Sequence, residues 1–314
     1  PHMTYHSRPS EAVGLWGRER ISTITQPPMH GHAIRVLAER GFDVSSLIDK
    51  AEAAFGFLFE QRTREGGLIA IVHPWESGSD DSPRWQAWWG GFAEASSEVP
   101  FDRRRWMDTK LALVDHLELN ETGSAVANPS FEVAAASFNA LVAFNALELS
   151  YAGGPSWLRQ AGEDLARAID DMLFDEGAST WADLDLHTGS RALQGTLDGL
   201  LPLLVTPDID RAAALLDAFC PGGPFFTPYG PCGQSRLEGG FDPASYGSGS
   251  VWPHLTYLFV LAARRAGRTE LAEEMRMAAT RAMLSSGFAE HLDASTGEGL
   301  GARPQGWAAL PVAL

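Results

Sequence analysis

The sequence predicts an all-α protein in which helical hairpins close into a ring, an (α/α) toroid carrying a few short β ribbons. Three observations predict it. Apolar residues recur at helical spacing along most of the chain, the linkers alternate between short turns and long Gly/Pro/Trp-rich loops, and strand candidates are few and short. Short alternate linkers lay helices side by side as antiparallel pairs, so the long loops share one end of the assembly.

The elements follow in order. Leu47, Ala51, Ala54, Phe55 and Leu58 fall on one helical face. The pattern returns at Phe131, Ala134, Ala135, Phe138, Leu141 and Val142, and again at Leu158, Ala161, Leu165, Ile169 and Met172. It continues through Ile209, Ala212, Ala213 and Leu216 and the paired segments 251–266 and 268–286, which makes about ten helices in all. Gly153-Gly154-Pro155 is one of the short turns. The strand candidates 68–72 (LIAIV), 181–186 (WADLDL) and 225–229 (FFTPY) flank long loops rather than alternating with helices, which argues against a parallel βαβ sheet. No exact repeat marks a solenoid and no low-complexity linker marks a second domain, so residues 1–314 are read as a single domain.

Composition narrows the function classes. A chain of 314 residues with 45% apolar content is long enough to bury a core. A net charge of −16 excludes phosphate neutralisation and polybasic attraction, so neither nucleic acid nor an anionic membrane is an expected partner. No apolar run approaches a membrane span and the first residues lack a signal-peptide pattern, which makes a cytoplasmic address the default. Cys220 and Cys232 lie in one Pro/Gly-rich loop that permits a bridge; reduced thiols are expected. They lack partners at zinc spacing, so neither a structural metal nor any cofactor is expected.

Residues 73–85 read HPWESGSDDSPRW, three carboxylates and two tryptophans gathered around a Gly and a Pro. A tight turn displaying acids beside flat aromatic faces suits cleavage of a glycosidic bond, because the leaving oxygen must be protonated and indole faces stack on a pyranose ring. The plainer reading is a helix start with Ser82 as N-cap and Pro83 in the first position, where Asp80 and Asp81 favour the helix dipole; both readings can hold together. Two further loops carry similar chemistry. Residues 241–253 (FDPASYGSGSVWP) hold Tyr246 and Trp252, and residues 288–307 hold Glu290, Asp293 and Glu298 before Trp307. Trp75, Trp252 and Trp307 are read as sugar contacts, Trp88 and Trp89 as core, and His73 as a hydrogen-bonded structural residue. Arg84, Arg236 and Arg303 are read as solvated surface residues rather than as partners of a substrate carboxylate.

Three segments, ITQPPMHGHA at 24–33, HPWESGSDDSP at 73–83 and FAEHLDASTGEGLG at 288–301, resemble the signature loops of glycoside hydrolase family 63, in particular its bacterial mannosylglycerate and glucosylglycerate hydrolase-like members. The matches span nearly the whole chain in the expected order. The resemblance implies an (α/α)6 barrel that hydrolyses a small α-glucoside or α-mannoside with inversion, using Asp80 as general acid and Glu290 as the general base that activates water. It also implies that Gln26, Trp75, Tyr246 and Trp252 contact the sugar. An inverting pair stands roughly 6.5–9.5 Å apart to admit water, so the 73–85 and 288–307 loops are expected to converge. Asp80 must be protonated to act. A helix N-terminus opposes this, and burial or the charges of Asp81, Glu76 or Glu290 must outweigh it.

The opening PHMTYH looks like the family's G-x-x-P-H-M-x-Y segment, so the preceding hairpin with its W-D-S-F-type motif is expected to be absent and the barrel one hairpin short. The loop that commonly reads Y-W-R-G-P-V-W is here Tyr246-Gly-Ser-Gly-Ser-Val-Trp252, and Asp81 stands where Asn is usual. Two other readings stay open. One is a noncatalytic carbohydrate-binding protein that keeps the toroid; the other is a trehalase-like or debranching-like glucosidase, since GSVWPH is also similar to the latter.

Overall fold

The computed structural model describes the backbone of residues 2–4, 9–19, 21–89 and 102–314, with side chains throughout these except at 2–4, 9–11 and 89. The opening PHMTYH segment therefore lies partly outside the described residues. About half of the chain is helical, and the described strands form five small sheets of two or three strands each. Two compact units are present. The first comprises Pro1–Asp80, Trp85–Phe174 and Ala182–Ala192, and the second Asp81–Arg84, Asp175–Trp181 and Leu193–Leu314.

The first unit is organised around the helix Ala136–Tyr151, which is apolar on nearly every side and buried accordingly. The helices His30–Glu39, Ser45–Gln61 and Ser156–Leu173 pack against it. Ser156–Leu173 turns Leu158, Leu165, Ile169 and Leu173 inward on one stripe, as its spacing predicts. The central helix begins at Ala136, five residues later than its apolar run. Val133–Ala134 instead pairs antiparallel with Asp183–Asp185, whose Asp183 carboxylate accepts from Ala136 N at 2.7 Å and caps the helix. A buried apolar run has no polar face to betray its period, so sequence alone cannot separate the two conformations.

The segment 68–72 is wholly buried but forms only isolated bridges at Ile69 and Ile71. Side chains meet much of its remaining backbone demand, Arg62 at Ala70 O, Glu76 at Val72 N and Asn128 at Val72 O. Asn139 of the central helix accepts from Ile69 N at 2.7 Å and donates to Ile69 O at 2.9 Å, replacing a neighbouring strand. The predicted 181–186 strand is interrupted at Ala182, between Thr180–Trp181 and Asp183–Asp185. Residues 225–229 are not a strand: Pro228 has no N–H to give a ladder, and the chain turns back between Thr227 and Gly230.

In the second unit the helices Pro253–Arg265 and Thr269–Ser286 fold back on one another, and the 3-10 segment Leu197–Leu204 packs on the former. Cys220 and Cys232 are free thiols. Burial pushes the Cys232 thiol up to about 11, which keeps it protonated and unreactive at neutral pH. Among the described residues no helix is long and apolar enough to cross a membrane.

Candidate active site

The 73–80 loop is fixed from behind by two buried polar side chains. His73 Nδ1 accepts from Trp75 N at 3.2 Å, which leaves the ring proton on Nε2 to donate to Lys110 O at 2.8 Å. Burial pushes this imidazole down to about 4, so it is neutral and structural, as its sequence context suggests. Glu76 is also fully buried. It receives both terminal nitrogens of Arg62 at 2.8 and 2.9 Å, together with Thr25 N, Thr25 Oγ1 and Val72 N at 2.7–2.8 Å. Burial alone would raise its pKa, but the Arg62 charge and these donors hold it at about 2. Glu76 is therefore committed to the scaffold, and one of the three carboxylates that the sequence offered for raising the Asp80 pKa is already neutralised.

On this base the loop presents Trp75 half-buried, edge-on to Trp16 at 6.1 Å. Gln26 joins it, donating from Nε2 to Trp75 O at 2.8 Å and to Thr25 O at 3.1 Å. Two of the sequence-predicted contact residues are thus brought together. Asp80 ends the loop, half-buried, its carbonyl accepting from Trp106 Nε1 at 2.8 Å and Lys110 Nζ at 3.5 Å. The Lys110 ammonium lies 5.4 Å from the Trp106 ring centre and 5.9 Å from that of Trp75. Sequence reasoning missed both residues; their i, i+4 spacing on the helix Arg103–Val114 was the available signal.

The segment Asp81–Arg84 belongs to the second unit. Asp81 is buried with its carbonyl against Gly247, where a Cβ would stand only 2.0 Å from the Asp81 oxygen. The residue after Asp80 is thereby seated on the loop that carries Tyr246 and Trp252. Pro83 does open a short helical turn, and Ser82 Oγ accepts weakly from Arg84 N at 3.4 Å while donating to Asp198 at 2.8 Å. Arg84 corrects the surface reading. It is buried and donates to Thr196 Oγ1, Trp181 O, Thr180 Oγ1 and Gln194 O, because a planar five-donor group can join several carbonyl-rich strands at once. Trp88 packs against Trp85 and Phe131 in the first unit's core as expected. The Trp89 side chain lies outside the described residues.

Glu290 lies in the second unit beside an aromatic wall. Trp252 stacks on His291 with ring centres 4.9 Å apart, Tyr246 meets Trp252 edge-on at 4.7 Å, and Trp307 donates its indole N–H to Glu290 O at 3.2 Å. Ala302 closes a small ring on Glu290: its carbonyl accepts from Glu290 N at 2.9 Å, and its N–H donates to Glu290 Oε2 at 2.9 Å. Gly301 makes this possible, for its φ is +72° and a Cβ there would fall 2.3 Å from Oε2. Glu290 Oε1 accepts no hydrogen bond among the described residues. By contrast Asp293 caps the Ser295–Thr296 turn through its own carboxylate, and Glu298 is exposed. Of the three acids in this loop, Asp293 is half-buried like Glu290 but its carboxylate is engaged in the loop's own turn, whereas Glu290 stands beside the aromatic wall with one oxygen held and one available. Among the described residues no group of three or more His, Cys, Asp or Glu side chains forms a metal site.

Comparison with known proteins gives the family. Residues 1–308 match the model of the mannosylglycerate hydrolase MGH1-like glycoside hydrolase domain. A mannosylglycerate hydrolase from Rubrobacter radiotolerans is 28% identical, the match covering 92% of this chain and 73% of that protein. A glucosylglycerate hydrolase from Mycolicibacterium hassiacum is 27% identical over 94% of this chain and 75% of its own length. Among solved structures, the family 63 mannosylglycerate hydrolase of Thermus thermophilus in complex with Tris and D-glycerate superposes with a TM-score of 0.78 at 26% identity, covering 98% of this chain and 79% of that one. Loops recognisable by their acids and tryptophans, and a family match running through all of them, make this chain a glycoside hydrolase of the MGH1-like group within family 63.

Proposed function

We propose that the protein hydrolyses a small α-mannoside or α-glucoside of a glycerate-like aglycone with inversion, Asp80 acting as general acid and Glu290 as general base. Asp80 gives its proton to the glycosidic oxygen as the bond to the anomeric carbon breaks. Glu290 Oε1 takes a proton from the water that attacks the opposite face, yielding a β-sugar and the free aglycone. Trp75, Tyr246, Trp252 and Trp307 offer apolar faces to the sugar, and Gln26, whose amide nitrogen is occupied, offers its oxygen to a hydroxyl.

The observation that carries this reading is the Glu290 carboxylate, held on one oxygen by Ala302 and open on the other beside an aromatic wall. The seating of Asp81 on Gly247 supports it, since it ties the chain next to Asp80 to that wall. Mannosylglycerate and glucosylglycerate hydrolases among the relatives supply the substrate class. The same reading assigns the helical hairpins to an (α/α)6 toroid, on the strength of family membership, and takes a small carbohydrate rather than nucleic acid or membrane as partner, in keeping with the charge of −16.

Proton NMR of the first-formed sugar from α-mannosylglycerate and α-glucosylglycerate tests it. A β-anomer appearing first is expected. An α-anomer would demand a nucleophile and a closer pair of carboxylates, and sugar binding without turnover would make the protein a carbohydrate-binding one.

A further inference from the structure

His254 stands in the first turn of the helix Pro253–Arg265, with its ring edge-on to Trp252 and to Trp307, each 5.4 Å away between ring centres. Trp307 is the residue whose indole bonds to Glu290 O. His254 thus belongs to the wall beside the Glu290 carboxylate, and it is the last residue of the GSVWPH segment, in which the sequence assigned no role to the imidazole. Its Nδ1 is buried and has no hydrogen-bond partner, and Nε2 has none among the described residues, while the residue as a whole is only half-buried. Burial lowers the imidazole to about 4, so at neutral pH it carries one ring proton. That proton can be hydrogen-bonded only on the nitrogen a partner can reach. On Nδ1 it would be a buried donor without an acceptor, which structures tolerate less readily than the buried acceptor lone pair that the Nε2–H tautomer leaves there.

We propose that His254 is a substrate-contacting residue that donates a hydrogen bond from Nε2 to a hydroxyl of the sugar bound beside Glu290. The sugar, rather than the aglycone, is the partner because an inverting base works on the face of the anomeric centre opposite the leaving group, and His254 lies on the side of the base. A neutral N–H between two indoles suits a hydroxyl acceptor and offers no charge to a carboxylate. The inference rests on the reading of Glu290 as part of the sugar site.

Long-range proton–nitrogen NMR of the labelled full chain reads the tautomer directly, with the His254 signals assigned by their loss in His254→Gln. The expected result is the Nε2–H tautomer, with an Nε2 shift that moves saturably with mannose or glucose and stays still with D-glycerate. In turnover, His254→Phe should lower kcat/KM about ten-fold or more, chiefly through KM, while His254→Gln, which can still donate, keeps most of it. An Nδ1–H tautomer, or a shift that follows D-glycerate alone, overturns the proposal. So does a His254→Phe enzyme with unchanged kcat/KM; in that case the hydrolase reading survives and this one fails. A sugar-dependent Nε2 shift in a wild-type chain that cleaves no glycoside would do the reverse. If His254→Phe does not fold, the tautomer and titration on the native chain decide alone.

Discussion

Arg62 and Glu76 form a two-toothed ion pair, 2.8 and 2.9 Å, in which neither side chain reaches solvent. The pair joins the end of the helix Ser45–Gln61 to the 73–80 loop, and Arg62 extends the link to Ala70 O and Ala125 O. A buried pair contributes little relative to a well-packed apolar replacement, but breaking it strands a charge. Arg62→Met and Glu76→Met are each expected to destabilise by about 3–5 kcal/mol, and the double variant Arg62→Met/Glu76→Met by less than the sum. Urea melts of the four proteins measure it. Because the folded pKa of Glu76, about 2, is below the ordinary 4.5, its contribution is complete above 4.5 and is lost as pH falls through 2.

The same pair shows where sequence reading stopped. The motif HPWESGSDDSPRW could be singled out, but its carboxylates could not be ranked, because Glu76 owes its role to Arg62 and Thr25, residues distant in the chain. The paired helices 251–266 and 268–286 were legible to within a few residues: Thr269–Ser286 turns one stripe to the core, and Pro253–Arg265, buried on most sides, is bounded by Pro253 and Gly267. The start of the helix Ala136–Tyr151 was not, since the run Val133–Ala136 that leads into it is buried throughout and shows no polar face. Arg84 was misjudged since nothing local announces the carbonyls of Trp181 and Gln194 that satisfy it. Glu290 was found by motif, whereas its tether to Ala302 through Gly301 became visible only in the fold.

Gly301→Ala should separate positioning from stability. The new methyl would overlap Glu290 Oε2 at a backbone angle that alanine tolerates at a cost of about 1–2 kcal/mol. The expected outcome is a folded protein with kcat reduced ten- to a hundred-fold or so and KM little changed, since displacing a reacting group by about 1 Å has that effect. Circular dichroism and steady-state kinetics on one preparation check both halves. Retention of full kcat would mean that the Ala302 contact does not set the carboxylate's position.

His30, His73 and His254 are each lowered by burial from 6.5 to about 4. Each is neutral when folded and takes up a proton when unfolded, so the unfolded chain binds more protons between those values. The stability they supply is present above 6.5 and declines as pH falls through 4. Thermal melts from pH 7.5 to 4 should therefore show a falling Tm over the lower part of that range, accompanied by proton uptake on unfolding. His73→Gln, in which the carboxamide can keep the bond to Lys110 O, should flatten part of the slope. An unchanged slope in that variant would place His73's titration elsewhere.

The two proposed catalytic carboxyls should differ in how they respond to the leaving group. Asp80→Asn removes the proton that the departing oxygen needs, so the loss, on the order of a hundred- to ten-thousand-fold in kcat, should be large for a glycerate aglycone. It should shrink toward nothing for an aryl α-mannoside whose phenolate leaves without protonation. Glu290→Gln removes activation of the attacking water, a step common to both substrates, and should reduce kcat for both by a similar factor. Because acid and base act in one transition state, the double variant should lose far less than the product of the single losses. Measuring kcat for the glycerate and aryl substrates in the wild type and all three variants tests the assignment. Equal sensitivity of Asp80→Asn to both leaving groups would remove Asp80 from the acid's role, and a leaving-group-dependent loss in Glu290→Gln would exchange the two.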